Sequence, residues 1–503
     1  MARRERRHMK ALTRRAAMIG LGGAAGWGIS RWLGADLPVY DGTARISAPT
    51  GPQILNDASG LSATPVQKHL ILRDDADQSL IAALRRELSE ARTEGRPVNI
   101  GAARHSMGGQ AIPRNGTAIT FDNGAVALDS AQQTYRVHAG ARWSQVIAAL
   151  DPKGWSPKVM QSNNDFGVAA TFSVNAHGWP VPFGPMGATV KSLRMLLPSG
   201  DLVTCSATEN SELFGMAMGG YGLVGLIVDL DVEMVKNARL SPTFDLLDAA
   251  DFPRAFRAAV EDPAVTMAYG RLNVERASFF EKALLVTYRE TPDQTELPQA
   301  SGSGWMAHAA SRLYRAQLGN ETIKSFRWWN ETRVGPALGS GEVTRNSLIN
   351  EPVATLDDRN PDRTDILHEY FVGFDAFDAF VTACREVIPA SYQEFLNVTL
   401  RYVAQDDQSM LSFATTPRIA AVMSFSQELS QRAEADMARM TRALIDRIVA
   451  IGGAYYLPYR PHATLEQFVA AYPQAPRFAQ AKRALDPDLV LRNNLWDSYL
   501  DRL

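Results

Sequence analysis

The chain has 503 residues, 46% of them hydrophobic and 21% charged, which excludes a fibrous or disordered protein and allows about two to four domains. Two cysteines, Cys205 and Cys384, rule out a disulfide framework and lie too far apart in sequence to suggest a metal pair, so no metal site is expected and both read as small apolar core residues. The net charge of −2 hides eight Lys/Arg against Glu5 alone in residues 1–33, leaving a body of −9 that lacks the basic surface a nucleic-acid partner requires.

Residues 13–30 (TRRAAMIGLGGAAGWGIS) place a basic stretch before a short apolar run rich in Gly and Ala, the organisation of a signal peptide. The paired Arg14 and Arg15 resemble a twin-arginine signal, although Ala17 stands where such signals usually carry a large apolar residue. The run is short of the ~20 residues a membrane span needs. The expectation is export, to the periplasm or beyond, with an uncleaved N-terminal membrane anchor or a merely basic tail as the alternatives. Twin-arginine export carries folded proteins and so suits one that takes up a bulky cofactor in the cytoplasm.

Residues 34–64 read as a polar linker containing Gly and Pro. A strand is predicted at 69–73 (HLILR), then a helix over 77–93 with Leu80, Ala83, Leu84, Leu88 and Ala91 on one face, stopped by Gly95 and Pro97. A strand at 98–101 completes a βαβ-like opening. Strands follow at 117–121, 125–128 and 134–139, then a helix at 143–150 and a Gly-rich region to about residue 225. Residues 192–206 form a hairpin around Pro-Ser-Gly-Asp. Beyond about residue 240, helices such as 251–260 alternate with strands such as 284–289, 368–373 and 397–403. A long amphipathic helix is predicted over 427–451, ended by Gly452 and Gly453, and the weakly patterned segment 290–365 is expected to hold a long loop or lid.

Neither a P-loop nor a Rossmann G-x-G-x-x-G is present. Flexible backbone lies instead in 101–109 (GAARHSMGG), 167–187 and 215–225, three Gly-rich loops able to bring backbone N–H groups close to a pyrophosphate, or, taken singly, ordinary turns.

These loops carry a resemblance. PVNIGAARHSMGGQA (97–111) resembles the flavin-attachment loop of the vanillyl-alcohol oxidase superfamily, with its PCMH-type FAD-binding domain, and AARHSMGGQA is most similar to plant cytokinin dehydrogenases. VHAGARWSQVIAAL (137–150), GVAATFSVNAHG (167–178), GDLVTCS (200–206) and GGYGLVGLIVDLDVEM (219–234) resemble the family's later segments in the same order. The resemblance implies an α+β fold: a PCMH-type FAD-binding domain of two α+β subdomains (65–238), a substrate domain with an antiparallel sheet flanked by helices (239–470), and a C-terminal segment (471–503) returning to the first. FAD is the implied cofactor. The implied contacts are Gly101, Ala103, Arg104, His105, Ser106 and Gln110 in the first loop, Gly167, Thr171, His177 and Gly178 in the second, and Gly225 with Ile227. His105 matches the histidine often bonded covalently to the flavin. No cysteine lies in 150–180 for a second tether. His177 is either a hydrogen-bonding group near the flavin or a structural histidine in a turn. Where cytokinin dehydrogenases carry an aspartate base, this chain has Ser162, with Asp165 three residues on.

In the substrate half, HEYFVG (368–373) resembles a strand of alditol and related sugar oxidases whose Glu faces the substrate, which nominates Glu369 as the base. NVTLRYVAQDD (397–407) resembles the next strand in those enzymes and in decaprenylphosphoryl-ribose oxidases. Alternation puts Asn397, Thr399 and Arg401 on one face, either turned to a hydroxylated substrate or simply solvated. AYYLPYRPHATLEQFVAAYP (454–473) and KRALDPDLVL (482–491) resemble the family's C-terminal closure. Tyr459 stands where decaprenylphosphoryl-ribose oxidases have Lys, and Arg460 or His462 is the nominee for a cation beside the reduced flavin. Tyr459, His462 and Arg401 compete with Glu369 as site members, though guanidinium cannot serve as a base. The implied activity is oxidation of an alcohol carbon of a sugar, polyol or lactone-like substrate by hydride transfer to flavin N5, with oxygen or another molecule as electron acceptor. The alternatives are an amine-oxidising dehydrogenase like the cytokinin enzymes and a non-catalytic flavin-binding protein.

Overall fold

The computed structural model describes residues 45–503 except 47–48, 52, 302–304, 340, 354–359 and 361, so the segment expected to be an export signal lies outside the described residues. Three sheets build the part of the molecule that matters for function.

The first is a parallel sheet of Lys68–Leu72, Thr117–Phe121 and Val98–Ile100, with Thr117–Phe121 in the centre. The helix Gln78–Glu94 connects two of its strands. Its N-terminus is capped by Asp77, whose carboxylate accepts from the Ser79 N–H (2.8 Å), and it ends on Gly95 in the left-handed conformation (φ 64°). Leu80, Ile81, Leu84, Leu88 and Ala91 are its buried face. Ala83, assigned to that stripe from the sequence, is only half-buried, and Ile81 takes the place.

The second sheet is antiparallel, in the order Leu202–Cys205, Val190–Leu196, Leu226–Lys236, Thr134–His138 and Val126–Asp129, with Trp155–Pro157 pairing beside Leu226–Lys236. The third is an eight-stranded antiparallel sheet in the order Val343–Thr344, Arg239–Asp248, Lys282–Glu290, Val265–Leu272, Glu394–Val403, Arg418–Glu428, Arg363–Gly373 and Ala454–Tyr455. Helices Phe252–Glu261, Phe377–Val387 and Gln431–Ala450 pack on it, and one continuous hydrophobic core runs through the sheets and their helices.

Two sequence expectations need correction. The long helix starts at Gln431, not 427, because Arg418–Glu428 is a strand and Ser430 caps the helix through the Ala433 N–H (3.1 Å). Segment 290–365, expected to hold a long loop or lid, has irregular backbone at 291–301 but also holds the helices Trp305–Ala316, Glu321–Trp329 and Arg345–Leu348. Ile323 is buried there and Trp328 packs on the core, and polar links such as Lys324 on Glu394 (3.1 Å) and Arg327 on the Leu396 carbonyl (2.7 Å) tie the segment to the eight-stranded sheet. Among the described residues no helix is long and apolar enough to cross a membrane.

Candidate active site

A cleft enclosing about 1500 Å³, part of it open to solvent, runs between the first two sheets and the eight-stranded one. One wall is the 101–111 loop, which leaves the parallel sheet at Ile100, and the second is the 161–177 segment with the short helix Val168–Ser173. The third is one face of the eight-stranded sheet plus residues 456–459.

Eleven of the twelve nominated cofactor contacts line this cleft: Gly101, Ala103, Arg104, His105, Ser106, Gln110, Gly167, Thr171, His177, Gly225 and Ile227. The His105 ring stacks on Phe166, centroids 4.2 Å apart. Gln110 is a structural tie as well, since its side-chain amide donates to the carbonyls of Leu457 (2.7 Å) and Tyr459 (3.0 Å) and its oxygen accepts from the Gly108 N–H (3.0 Å). Thr171 accepts from the Trp143 indole (2.9 Å), fixing the helix behind the wall. Gly178 is the exception. It does not line the cleft, and a Cβ there would run into the Met160 carbonyl, so the glycine serves the close passage of two protein backbones rather than an approach to a ligand. At Gly101 the cause is similar: a Cβ would sit 2.8 Å from the Ala111 carbonyl oxygen, and the loop could not fold back on itself.

On the sheet wall, Glu369, Arg401 and Tyr459 come together. Glu369 is buried, and one carboxylate oxygen bonds His177 Nε2 while the other accepts from the Tyr459 hydroxyl (3.3 Å). The His177 ring is boxed edge-on by Phe371 and Phe413, centroids 5.5 Å and 6.1 Å away, with Tyr456 at 6.3 Å. Arg401 donates to the His177 carbonyl (3.2 Å) and to Ser162 Oγ (3.1 Å). Burial, with Glu369 alongside, pushes the Tyr459 hydroxyl well above its ordinary value, so it stays protonated and acts as a donor. Burial also pushes Arg401 downward. The polar face of Glu394–Val403 is therefore not a solvated one. Asn397 accepts from Arg327 (3.0 Å), Thr399 from Arg271 (2.6 Å), and Arg401 reaches the cleft.

His462 and Arg460 do not line the cleft. Both turn to Glu434 on the long helix, His462 Nε2 at 2.9 Å and Arg460 at 2.5 Å, and His462 Nδ1 also meets Thr441 Oγ1 (3.2 Å). The Glu434 carboxylate accordingly lies far below its usual range. The cation nominated for the flavin is thus neutralised by an acid on a helix that sequence gave no reason to place there. Cleft residues that the sequence reading passed over include Phe166, Tyr221, Leu367, Val422 and Tyr456. Of these only Phe166 carried a signal, its place beside the Gly-rich loop at 167.

The cleft fits FAD. Its walls carry many small residues (Gly101, Ala102, Ala103, Gly140, Gly167, Ala169, Ala170), which leave room for a flat ring and a long chain. It also presents buried polar atoms without hydrogen-bond partners among the described residues, namely Arg104 Nε, Ser106 Oγ, His177 Nδ1 and Arg401 Nε. Such atoms are rare in folded proteins unless a ligand or water meets them. Burial, and Arg142 nearby, push Arg104 below its ordinary value, while its guanidinium reaches Thr120 Oγ1 (3.0 Å) and His69 Nε2 (3.3 Å).

Comparison with known proteins agrees. Residues 80–206 match the FAD binding domain family. The chain is 26% identical over 191 residues to L-galactono-1,4-lactone dehydrogenase 1, mitochondrial, of Oryza sativa subsp. japonica, covering 38% of this chain and 32% of that protein. It is 32% identical over 131 residues to cytokinin dehydrogenase 7 of the same plant, 24% of this chain and 25% of that one. With decaprenylphosphoryl-beta-D-ribose oxidase of Mycolicibacterium smegmatis it shares 22% identity over 426 residues, 76% of this chain and 85% of the oxidase. The chain spans about a third of the length of the lactone dehydrogenase and about a quarter of the cytokinin dehydrogenase. Residues 80–206 are thus an FAD binding domain of the PCMH type, and the chain is similar to FAD-linked oxidoreductases that include aldonolactone oxidases and dehydrogenases, decaprenylphosphoryl-ribose oxidase and cytokinin dehydrogenase.

Proposed function

We propose that this protein oxidises an alcohol carbon of a sugar, polyol or lactone-like substrate, with Glu369 as the proton acceptor, and passes the electrons to oxygen or another acceptor. The observation that carries this reading is the buried Glu369 carboxylate on the cleft wall, held from both sides by His177 and Tyr459. When bound, FAD supplies a hydride acceptor for the substrate carbon. The chain supplies the rest. As the C–H bond yields its hydride, the hydroxyl proton passes to Glu369 and the carbon–oxygen double bond forms. Tyr459 and His177 fix the carboxylate so that its orientation is set before substrate arrives, and Phe371, Phe413 and Tyr456 pack around the His177 ring.

The test is anaerobic flavin reduction. Polyols and aldonolactones should bleach the wild-type flavin, and Glu369→Gln should slow this by about 10²–10⁴-fold, the usual range for a general base, with the flavin still bound. An unchanged rate would remove Glu369 from the role. Bleaching by isoprenoid amines alone would favour the amine reading, against which Ser162, a neutral acceptor for Arg401, now stands at the position of the expected acid. No bleaching by any donor would leave a flavin-binding protein without turnover.

Two finer parts of the reading have their own checks. Covalent attachment through His105 is supported by its place on the cleft wall. Acid-precipitated wild type should keep fluorescent flavin in the pellet and His105→Ala should lose it, while a colourless wild-type pellet overturns the link. Export is supported by the Arg14–Arg15 pair before an apolar run. The full chain should reach the periplasm, and the R14K/R15K variant should stay in the cytoplasm.

A further inference from the structure

The Glu369 carboxylate is bonded on both oxygens, by His177 Nε2 and by the Tyr459 hydroxyl (3.3 Å). With Glu369 ionised, as a proton acceptor must be, the single ring hydrogen of neutral His177 is on Nε2, where it meets the carboxylate. Nδ1 is then a bare acceptor. It is buried without a partner among the described residues, although His177 lines the cleft. The neighbours of the ring do not compete for that nitrogen: Phe371 and Phe413 are apolar, and the Tyr456 hydroxyl donates to the Val174 carbonyl (2.7 Å). Arg401 bonds the backbone carbonyl of His177 (3.2 Å) and leaves the ring alone.

Two other histidines share part of this arrangement. His462 also bonds a carboxylate through Nε2, that of Glu434 (2.9 Å), but its Nδ1 meets Thr441 Oγ1 (3.2 Å) and it lies off the cleft. His138 also has a buried nitrogen without a partner among the described residues, Nε2, but its Nδ1 accepts from the Gly140 N–H (3.0 Å) instead of facing a carboxylate, and it too lies off the cleft. Of the three, His177 alone combines a carboxylate on one nitrogen, an open second nitrogen and a place on the cleft wall. In an imidazole held this way the acid fixes the tautomer and the open nitrogen is ready to take a proton.

We propose that His177 relays the substrate's proton to Glu369, so that the imidazole, and not the carboxylate, touches the hydroxyl being oxidised. This rests on the reading that Glu369 is the final proton acceptor. The hydroxyl O–H bond breaks as its proton bonds Nδ1, and the Nε2 proton crosses to the Glu369 oxygen. In the same step the hydride of the C–H bond passes to the flavin, which is reduced by both electrons, and the carbon–oxygen double bond forms. The ring ends in the opposite tautomer, uncharged, beside an uncharged acid. Burial favours the second transfer. The His177 and Glu369 side chains are 2% and 3% exposed, so stopping at imidazolium would leave a buried ion pair, whereas the completed relay leaves two neutral groups.

The experiment is anaerobic flavin reduction in the holoenzyme, with sorbitol and glucono-1,5-lactone as donors, in mixtures of H2O and D2O. Two protons moving together should make the wild-type rate fall along a curve bowed below the straight line as the deuterium content rises, whereas one moving proton gives the straight line. His177→Gln keeps an N–H for Glu369 but has no second nitrogen through which to pass a proton. It should slow reduction by about 10²–10⁴-fold at unchanged flavin content. A slow variant alone is also what a displaced carboxylate would give, so wild type decides: a straight line, or no dependence on deuterium, overturns the relay even if His177→Gln is slow or has lost its flavin. A His177→Gln variant as fast as wild type overturns it too. In either case a large loss in Glu369→Gln leaves the reading of Glu369 intact, with the carboxylate itself touching the substrate, while an unchanged rate in Glu369→Gln, or no reduction by either donor, overturns both.

Discussion

Tyr459 and Glu369 show how burial assigns roles that residue type leaves open. A tyrosine beside a carboxylate is a plausible base by type alone, yet its surroundings keep it protonated and make it a donor to Glu369 at 3.3 Å. That bond is long, and losing one such bond costs about 1 kcal/mol. Tyr459→Phe should therefore slow flavin reduction by roughly tenfold or less, at unchanged flavin content, against the far larger loss in Glu369→Gln. Equal losses in the two variants would mean that the hydroxyl itself moves the proton. Glu369 was legible because HEYFVG resembles a strand of alditol and related sugar oxidases whose Glu faces the substrate. His462 was misplaced because Arg460-Pro461-His462 sits beside Tyr459 in sequence, while in space the turn sends residues 460 and 462 to Glu434 on another element. Proximity along the chain cannot reveal which helix will pass behind a turn.

At the scale of elements, strand alternation carries both the site and its liability. On Arg363–Gly373, Glu369 points into the cleft, so its neighbour His368 points the other way, into the core beneath the long helix. There it is buried, with Tyr370 OH at 3.5 Å and Thr441 Oγ1 at 3.3 Å, and burial pulls its titration from 6.5 down to about 3. The unfolded chain takes up this proton as pH falls below about 6.5, while the folded chain refuses it until about 3. Stability is thus lost progressively across that window. At pH 5 the loss from this residue is on the order of 2 kcal/mol. His462, also pushed down by burial, acts in the same direction, whereas Glu434, held low, loses its contribution only below the ordinary carboxylate range. Thermal midpoints between pH 7 and pH 5 should fall in wild type and fall clearly less in His368→Asn. Parallel curves would show that this histidine does not set the acid limit. The strand opposite, Arg418–Glu428, escaped the sequence reading for a physical reason. It lies between two strands with both faces largely covered, so its RIAAVMSFSQE shows no clean alternation and borders directly on the helical pattern that follows. The strands with one polar face, such as Glu394–Val403, were the readable ones.

Across the whole molecule, the cleft is closed by chain ends that are distant in sequence. The Val98 N–H donates to the Val490 carbonyl (2.6 Å) and the Arg492 N–H to the Val98 carbonyl (3.2 Å), so residues 490–492 extend the small parallel sheet from which the 101–111 loop departs. Asn494 then donates to the Gly108 carbonyl (2.5 Å), clasping that loop directly. What fixes this tail is a buried ion pair: Asp486 binds Lys482, and the same carboxylate accepts from the N–H groups of Val490 (3.0 Å) and Leu491 (2.8 Å). Burial pulls Lys482 down to about 8, which marks how far the lysine depends on its partner. Asp486→Ala leaves a buried ammonium uncompensated and should cost about 3–5 kcal/mol. It should also loosen the loop that holds His105. Because FAD binds the folded chain, it raises the thermal midpoint by an amount that shrinks as its dissociation constant rises. In Asp486→Ala the midpoint should fall without FAD, and the further gain on adding FAD should be smaller than in wild type. The double variant Lys482→Met/Asp486→Leu removes the charge problem but not the lost acceptors for Val490 and Leu491, so it should recover stability in part while the gain from FAD stays reduced. An undiminished gain from FAD in both variants would show that the tail lends stability alone and does not shape the cleft.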